Sequence, residues 1–479
     1  MTNFEFNNDA IKPTARWQKL LRFRVVVPAI VVLTLLMSPF AYRSYYLSGV
    51  PEIDPPFDVE TFGTVNIPAN ENAYHDYKLA VSKLVDFKSA GSNDLDVALA
   101  GEWADATPDV RLWLEDNQEA LALWKVGTEK PDYQNETQPK DYDIASLLPV
   151  AQEVRSFARL AVLQGKRLEA EGKFEEAWAW NRALFRSSRH LGQHGCLIEH
   201  LVGIAIHAIA VKSILDWATH PEVTSSQLQT AIDNVTDDFE LTAPNSTALK
   251  IEHITVKNTL DKYADLSNAF SFSHTTPTTA EQILIKLHFY CKVEPQLSLL
   301  LNRHLTQNLL MQVDEPRHLR KMAALSSFAL FDNSSVVTPA GKTLTAAELE
   351  EAILRSSYFK DLMPSYSAVF VASDRCQTKQ NILVVVLAAE KYKRVHSQFP
   401  PDAAALIKES TLQDMPLDAL QTTKSTIQYR NSNSCVTVYS LGEDGIDDRG
   451  CSAQLVPTLP GDYGYVLYPV VKQNQEPSE

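Results

Sequence analysis

Hydrophobic positions along this chain change period several times, and the changes divide it into an uncharged run, a long helical body and a short mixed terminus. The first pattern is VVVPAIVVLTLLMSPFAY, between Arg24 and Arg43, which contains no charged residue. Its length of about 18 residues matches the hydrocarbon thickness of a bilayer crossed as a helix. Next comes PEIDPPFDVE, proline-rich and acidic, which predicts an extended spacer. From residue 145, Phe157, Leu160, Ala161 and Leu168 recur at helical spacing, Glu171-Gly172-Lys173 breaks the period, and Phe174, Ala177, Trp178 and Phe185 resume it. That pattern predicts an antiparallel helical hairpin ending near residue 191. The following CLIEHLVGIAIHAIAVKSILDWA is apolar almost all round, as a helix packed centrally among others would be.

Polar residues dominate 221–277, with weaker helical patterning around 249–266, and helical signals return over 281–330. Thr345 and Glu348 have the spacing of a capping box and open another helix. A long helix is predicted over 366–396, a short one in FPPDAAALIKES, and strands at STIQYR, SCVTVYS and YGYVLYPVV. The fold class is therefore α+β: an N-terminal transmembrane helix, a large irregular helical domain, and a small helix with an antiparallel sheet. The expected divisions are a cytoplasmic tail (1–24), an anchor (25–47), an extended linker (48–70), a helical domain (71–365) and an α+β domain (366–479).

Charge settles the expected orientation. Lys12, Arg16, Lys19, Arg22 and Arg24 precede the uncharged run, whereas Glu52, Asp54, Asp58 and Glu60 follow it. The positive-inside rule then puts the N-terminus in the cytoplasm and the body outside, at the cell membrane, after a single crossing. A cleaved signal peptide fits less well, since small residues spaced as in A-x-A are missing, the nearest candidate Ala41 has Pro39 two positions before it, and no Cys follows to accept a lipid. Over the whole 479 residues, 45% are hydrophobic and 22% charged, the range of a globular protein with a sizeable core. A net charge of -15 repels phosphate backbones and argues against a nucleic-acid partner.

Candidate chemistry is sparse. The densest cluster is RHLGQHGCLIEH, with His190, His194, Cys196, Glu199, His200 and, further on, His207. Zinc needs three or four such ligands converging, but Gly192 and Gly195 interrupt the helix between the histidines and no H-E-x-x-H phrase occurs. Gly341-Lys342-Thr343 ends like a phosphate-binding loop, yet Val336 occupies its first glycine position. With no nucleophile elbow either, the first expectation is an envelope protein that serves as a structural or protein-interaction scaffold and has a protein partner there. The alternative is an extracytoplasmic hydrolase or metalloenzyme with a site near His190, His194 and His200.

Two segments resemble known families. LQGKRLEAEGKFEEAWAWNRALF is similar to a tetratricopeptide unit at Gly165, Leu168, Gly172 and Ala177, and departs from it at Asn181 and Leu184. LAAEKYKRVHSQFPPDAAALI, MPLDAL, IQYR and VTVYSLGEDGIDDRG together resemble the globular part of type II secretion major pseudopilins, over roughly the last fifth of the chain. That resemblance implies a helix, a three-stranded sheet, a role related to secretion, and a loop opening on Ser-Leu-Gly that holds calcium. Carried onto this sequence, it makes Asp444, Asp447 and Asp448 the side-chain ligands, with the Leu441 carbonyl beside them. Hard oxygens on a flexible glycine loop are what calcium requires, and Glu443 adds another acid, while Arg449 is a competing internal cation. The processed Gly-Phe-Thr-Leu-x-Glu phrase of that family is missing, so polymerisation as a pilin is not expected. Cys435 and Cys451 bracket the loop and form the candidate disulfide, worth about 2–4 kcal/mol outside the cytoplasm. The complete chain also looks like large single-pass membrane proteins of planctomycete-type bacteria, a resemblance that implies an architecture and no activity.

Overall fold

The computed structural model describes residues 15–88, 93–146, 148–263, 278–279, 294–323, 326–333, 343–356, 359–360, 363–408, 412–432, 435–450 and 461–469. Helix α1, Ala15–Ser48, contains the uncharged run. Its described side chains are exposed, from 40% at Val27 to 67% at Tyr45, so no part of the body covers them. The apolar part of α1 among the described residues is Val25–Ser38.

After α1 the chain is extended as its prolines require, but it is not a free spacer. Val50 and Ile53 are buried, the Pro51 carbonyl accepts from His304, and the Ile53 carbonyl accepts from Arg303. An extended strand exposes its backbone acceptors, and here two side chains of one body helix take them up. Short helices α2 (Val59–Gly63), α3 (Tyr74–Lys83), α4 (Asp94–Ala100), α5 (Pro108–Asp116) and α6 (Gln118–Thr128) follow.

The hairpin expected from the sequence is present as α7 (Pro149–Ala170) and α8 (Phe174–His190). Gly172 makes the turn between them at φ +74°, a left-handed conformation that costs glycine nothing. Helix α9, Leu197–Thr219, packs against both. Among the described residues it is the helix long and apolar enough to cross a membrane, yet most of its apolar window is buried inside the body. Ile206, His207, Ala210, Val211 and Ile214 are inaccessible to solvent, as the all-round apolar pattern demands. Further helices are α10 (Ser225–Asp237), α11 (Asn245–Tyr263), α12 (Glu294–Leu310), α13 (Ala346–Arg355, opened by the Thr345/Glu348 capping box), α14 (Tyr366–His396) and α15 (Ala403–Lys408).

Three antiparallel strands complete the fold in the order β1 (Gln428–Asn431), β2 (Cys435–Ser440) and β3 (Tyr463–Pro469). Gln428 pairs with Tyr439, and Ser440 with Tyr463, with an irregularity between Val436 and Thr437. The chain is thus a mostly helical α+β protein. Its cores cross the boundary expected at 365/366. One core joins helices α3–α10 to residues 382–389 of α14 and to Val436, Val438, Tyr463 and Leu467 of the sheet. The other joins α11, α12 and α13 to Val50 and to Tyr366 and Phe370 at the start of α14. A 31-residue helix is long enough to enter both, which is why the sheet module shares its core with the helical body.

Candidate functional site

The C-terminus of α8 is unusual in its burial: Ser187, Ser188, Arg189 and His190 are all inside the molecule. Gly203 on α9 makes this possible. A Cβ there would lie 2.7 Å from the carbonyl oxygens of both Ser188 and Leu191, so only glycine lets α9 run so close across the end of α8. The close crossing places Arg189 and His207 against the middle of α14.

A cleft of about 610 Å³ opens where these helices meet the 239–245 turn and the 314–320 and 416–419 segments. Three carboxylates on its wall are held by partners of their own, one by arginines and two by hydroxyl or backbone donors. Asp374 on α14 takes two hydrogen bonds from Arg320, at 3.0 and 2.9 Å, with Arg317 at 3.9 Å, while its burial raises its pKa. Asp418 accepts from the Ser440 hydroxyl at 2.8 Å and from the backbone of Leu420 and Leu441. Asp314 accepts from the Ser246 amide.

Arg189 differs from all of these. It is 4% exposed and has no carboxylate partner among the described residues. Its Nε donates to the Ser188 hydroxyl at 3.1 Å, Nη1 to the Thr242 hydroxyl at 3.0 Å, and Nη2 lies 3.8 Å from the sulfur of Cys376. The rings of Phe239 and Phe185 are 4.8 and 5.2 Å away. Burial lowers its pKa, and ordinary guanidinium chemistry keeps it charged. A guanidinium has five N–H donors, so three partners leave donor capacity at the cleft wall.

Next to it is a chain of three side chains. Cys376 Sγ lies 3.2 Å from His207 Nδ1, and His207 Nε2 lies 3.3 Å from Gln380 Oε1. Gln380 Nε2 donates to the Val235 carbonyl at 3.0 Å. Burial, with Arg189 nearby, holds the His207 pKa well below that of a free imidazole, so the ring is neutral.

The sequence-derived histidines are engaged separately. His190 Nε2 donates to the Lys130 carbonyl at 2.9 Å, which leaves Nδ1 to accept from the Tyr77 hydroxyl at 2.7 Å, and burial depresses its pKa to about 3. His200 faces Ser373 across the cleft at 3.4 Å, its pKa lowered to about 4, again by burial. His194 is half-buried, with its pKa lowered for the same reason. Cys196 opens α9 and Glu199 caps it. The Glu199 carboxylate also takes bonds from Tyr142 at 2.8 Å, Asn135 at 3.3 Å and Tyr133 at 3.4 Å. This explains a buried acid by backbone capping. Among the described residues, no group of three or more His, Cys, Asp or Glu side chains is arranged to hold a metal ion.

In the 440–450 loop, Asp444, Asp447 and Asp448 are exposed. Asp444 accepts from the Ile446 amide, and Asp447 from the Arg449 amide and the Tyr439 hydroxyl. Glu443 is drawn away to Arg375 at 2.6 Å. Asp462, just before β3, accepts from the Gly450 amide through Oδ2, while its buried Oδ1 has no hydrogen-bond partner among the described residues. Cys451 and the side chain of Cys435 lie outside the described residues, so the candidate disulfide does too. Compared with known proteins, the chain matches no family model, no curated protein and no solved structure.

Sequence reading named His207 but not its partners, because Cys376 and Gln380 are more than 160 residues away along the chain. One signal was available: a histidine on a helix apolar all round must find a buried partner. The i, i+4 spacing of Cys376 and Gln380 on the long helix was the other half.

Proposed function

We propose that this chain is a single-pass membrane protein of the cell envelope whose body, outside the cytoplasm, binds a small carboxylate in the cleft between its two cores. The observation that carries the binding function is Arg189, a buried cation with spare donors and no carboxylate partner among the described residues. Burying an unpaired charge costs several kcal/mol, so an anionic ligand that completes the pair recovers a cost already present in the empty protein. The guanidinium, fixed beside the Phe239 and Phe185 rings at 4.8 and 5.2 Å, suits the planar fork of a carboxylate.

Support for anchoring comes from α1. Over Val25–Ser38 its exposed valines, leucines and isoleucines leave no charged face, and such a stretch is stable only when lipid or protein covers it. The basic residues before the run and the acidic ones after it favour a cytoplasmic N-terminus. Calcium at the 440–450 loop belongs to the same proposal, supported by the acidic pair Asp447 and Asp448 beside the unpartnered oxygen of Asp462.

Binding is tested by heating the detergent-solubilised full chain with and without succinate. A rise in Tm that disappears in Arg189→Met supports the proposal, and an identical rise in that variant removes it. Anchoring is tested by washing membranes with alkaline carbonate. Retention supports an integral anchor, and release of the chain refutes it.

A further inference from the structure

We propose that Cys376 is a thiol nucleophile, activated by His207 and oriented by Gln380, that accepts acyl groups from small esters entering through the cleft. The proposal deepens the ligand-binding function, because the product of such a reaction is a carboxylate.

Hydrogen-bond logic fixes the proton positions. The Val235 carbonyl can only accept, so the Gln380 amide must turn its Nε2 toward it and its Oε1 toward the imidazole. That oxygen can also only accept, so His207 Nε2 carries the ring proton. Nδ1 is left with its lone pair facing the Cys376 thiol at 3.2 Å. Nucleophile, base and orienting amide therefore stand in the order that thiol catalysis needs. Burial next to a guanidinium keeps the ring neutral and disfavours the imidazolium, so proton transfer to Nδ1 depends on the thiolate charge that forms beside it at 3.2 Å.

Access and charge stabilisation come from the surroundings. Cys376 borders the 610 Å³ cleft on one side and a second cavity of about 440 Å³ on the other. Arg189 Nη2, 3.8 Å from the sulfur, is the donor nearest to where negative charge would develop, first on sulfur and then on the acyl oxygen. A purely structural role accounts poorly for the group, since a leucine in place of each polar residue would fill the same interior without burying a cation and three polar side chains.

The chemistry balances without a cofactor. As Sγ bonds to the acyl carbon, the thiol proton passes to His207 Nδ1 and the carbonyl electrons move onto oxygen, facing Arg189. Collapse breaks the ester C–O bond, and the leaving alkoxide takes the proton from Nδ1, giving an alcohol and a Cys376 thioester. Water then adds to the thioester, its proton moves to Nδ1, and the departing thiolate recovers that proton. Ester and water become acid and alcohol.

The test uses the full chain in detergent with p-nitrophenyl acetate, reading nitrophenolate release and the site of acetylation by peptide mass spectrometry. Expected is one acetyl group on Cys376, none there in Cys376→Ala, and unaltered labelling in Cys196→Ser. His207→Gln should slow acylation about 10²- to 10⁴-fold, the usual contribution of a general base. Should that variant not fold, Gln380→Met removes only the orienting amide, and a slower acylation at unchanged melting temperature supports the proposal. Acetylation of Cys376 at the wild-type rate in the folded base or amide variants would overturn it. So would absence of acetylation, whether iodoacetamide labels Cys376 (reachable but not activated) or fails to (walled off). Acylation without a succinate effect removes the carboxylate-binding function alone, and a succinate effect without acylation removes this proposal alone.

Discussion

Asp238→Asn and Arg189→Met should differ sharply in their effect on stability, because the arginines at Asp238 are paired with an acid and Arg189 is not. Asp238 is 4% exposed and holds two arginines: Arg182 through Nε at 2.7 Å and Nη2 at 3.1 Å, and Arg186 through Nη1 at 2.5 Å. Asp238→Asn keeps the shape and strands both cations. Removing one partner of a buried pair costs about 3–5 kcal/mol. The low end applies, since Arg182 is 34% exposed and can turn to water, whereas Arg186, at 11%, cannot. Arg186 also donates to the carbonyls of Thr128, Glu129 and Lys130, which softens its loss further.

For Arg189→Met no acid is stranded. Replacing a buried charge with a hydrophobe is neutral or stabilising by about 1–4 kcal/mol. Against this stands the loss of two ring contacts, about 0.5–2 kcal/mol each. The two contacts total about 1–4 kcal/mol, the same size as the gain, so the net change centres near zero. In urea unfolding of the solubilised chain, with a slope of about 3 kcal/mol/M, Asp238→Asn should drop the midpoint by about 1 M and Arg189→Met should barely move it. If the midpoint of Arg189→Met falls as far as that of Asp238→Asn, Arg189 is a compensated charge and the basis for an anionic ligand is gone.

Gly203→Ala adds a methyl 2.7 Å from two backbone oxygens, so a loss of about 1–3 kcal/mol is expected by urea unfolding despite the better helix propensity of alanine. A stability equal to wild type would show that the crossing of α8 and α9 is looser than described. Burial pushes the Glu252 carboxyl up to about 7. With the folded pKa above the unfolded one, the native state binds more protons between them, so this group weakens the fold as pH rises from about 4.5 to 7. Glu252→Gln should therefore be the more stable protein at pH 8 and lose its advantage near pH 4.5, and an advantage independent of pH would reject the assignment. Buried His190 and His253, with pKa values lowered to about 3 and about 4, act oppositely and weaken the fold as pH falls below about 6.5. Calcium at about 10 mM should stabilise the chain by roughly 1–3 kcal/mol if the 440–450 loop binds with the weak affinity of extracellular sites. An identical Tm with calcium and with chelator would exclude that site.

Much of the backbone was legible from the sequence because its signals were local. The turn at Gly172, the Thr345/Glu348 cap, the ends of α14 and the three strands each follow from a few adjacent residues. Burial of α9 was legible too, since no polar face was available for solvent. What the sequence hid was long-range. The prolines near residue 55 announced an extended chain but not the His304 and Arg303 donors that bind it to the body. Cys376 and His207 lie 169 residues apart, and only weak signals, a histidine on an apolar helix and a polar i, i+4 pair on another, hinted that they meet. The histidine cluster drew attention by its density, whereas the residues that converge come from α8, α9 and α14.

The location of the cleft follows from the composition of α14. Tyr366 and Phe370 lie in one core and residues 382–389 in the other, so both ends of the helix are apolar on their buried faces. Between them stand Asp374, Cys376, Thr378 and Gln380, all buried and all polar. A buried polar stretch inside a helix weakens the core unless each group finds a partner. Asp374 finds Arg320, and Cys376 and Gln380 find His207, whereas the Thr378 hydroxyl has no hydrogen-bond partner among the described residues, and Arg189 completes the lining with donors to spare. A helix that served only to join two cores would be apolar throughout. The polar middle instead keeps the cores from fusing and maintains the cleft at their seam, which is where a ligand gains most from a site already desolvated and already ordered.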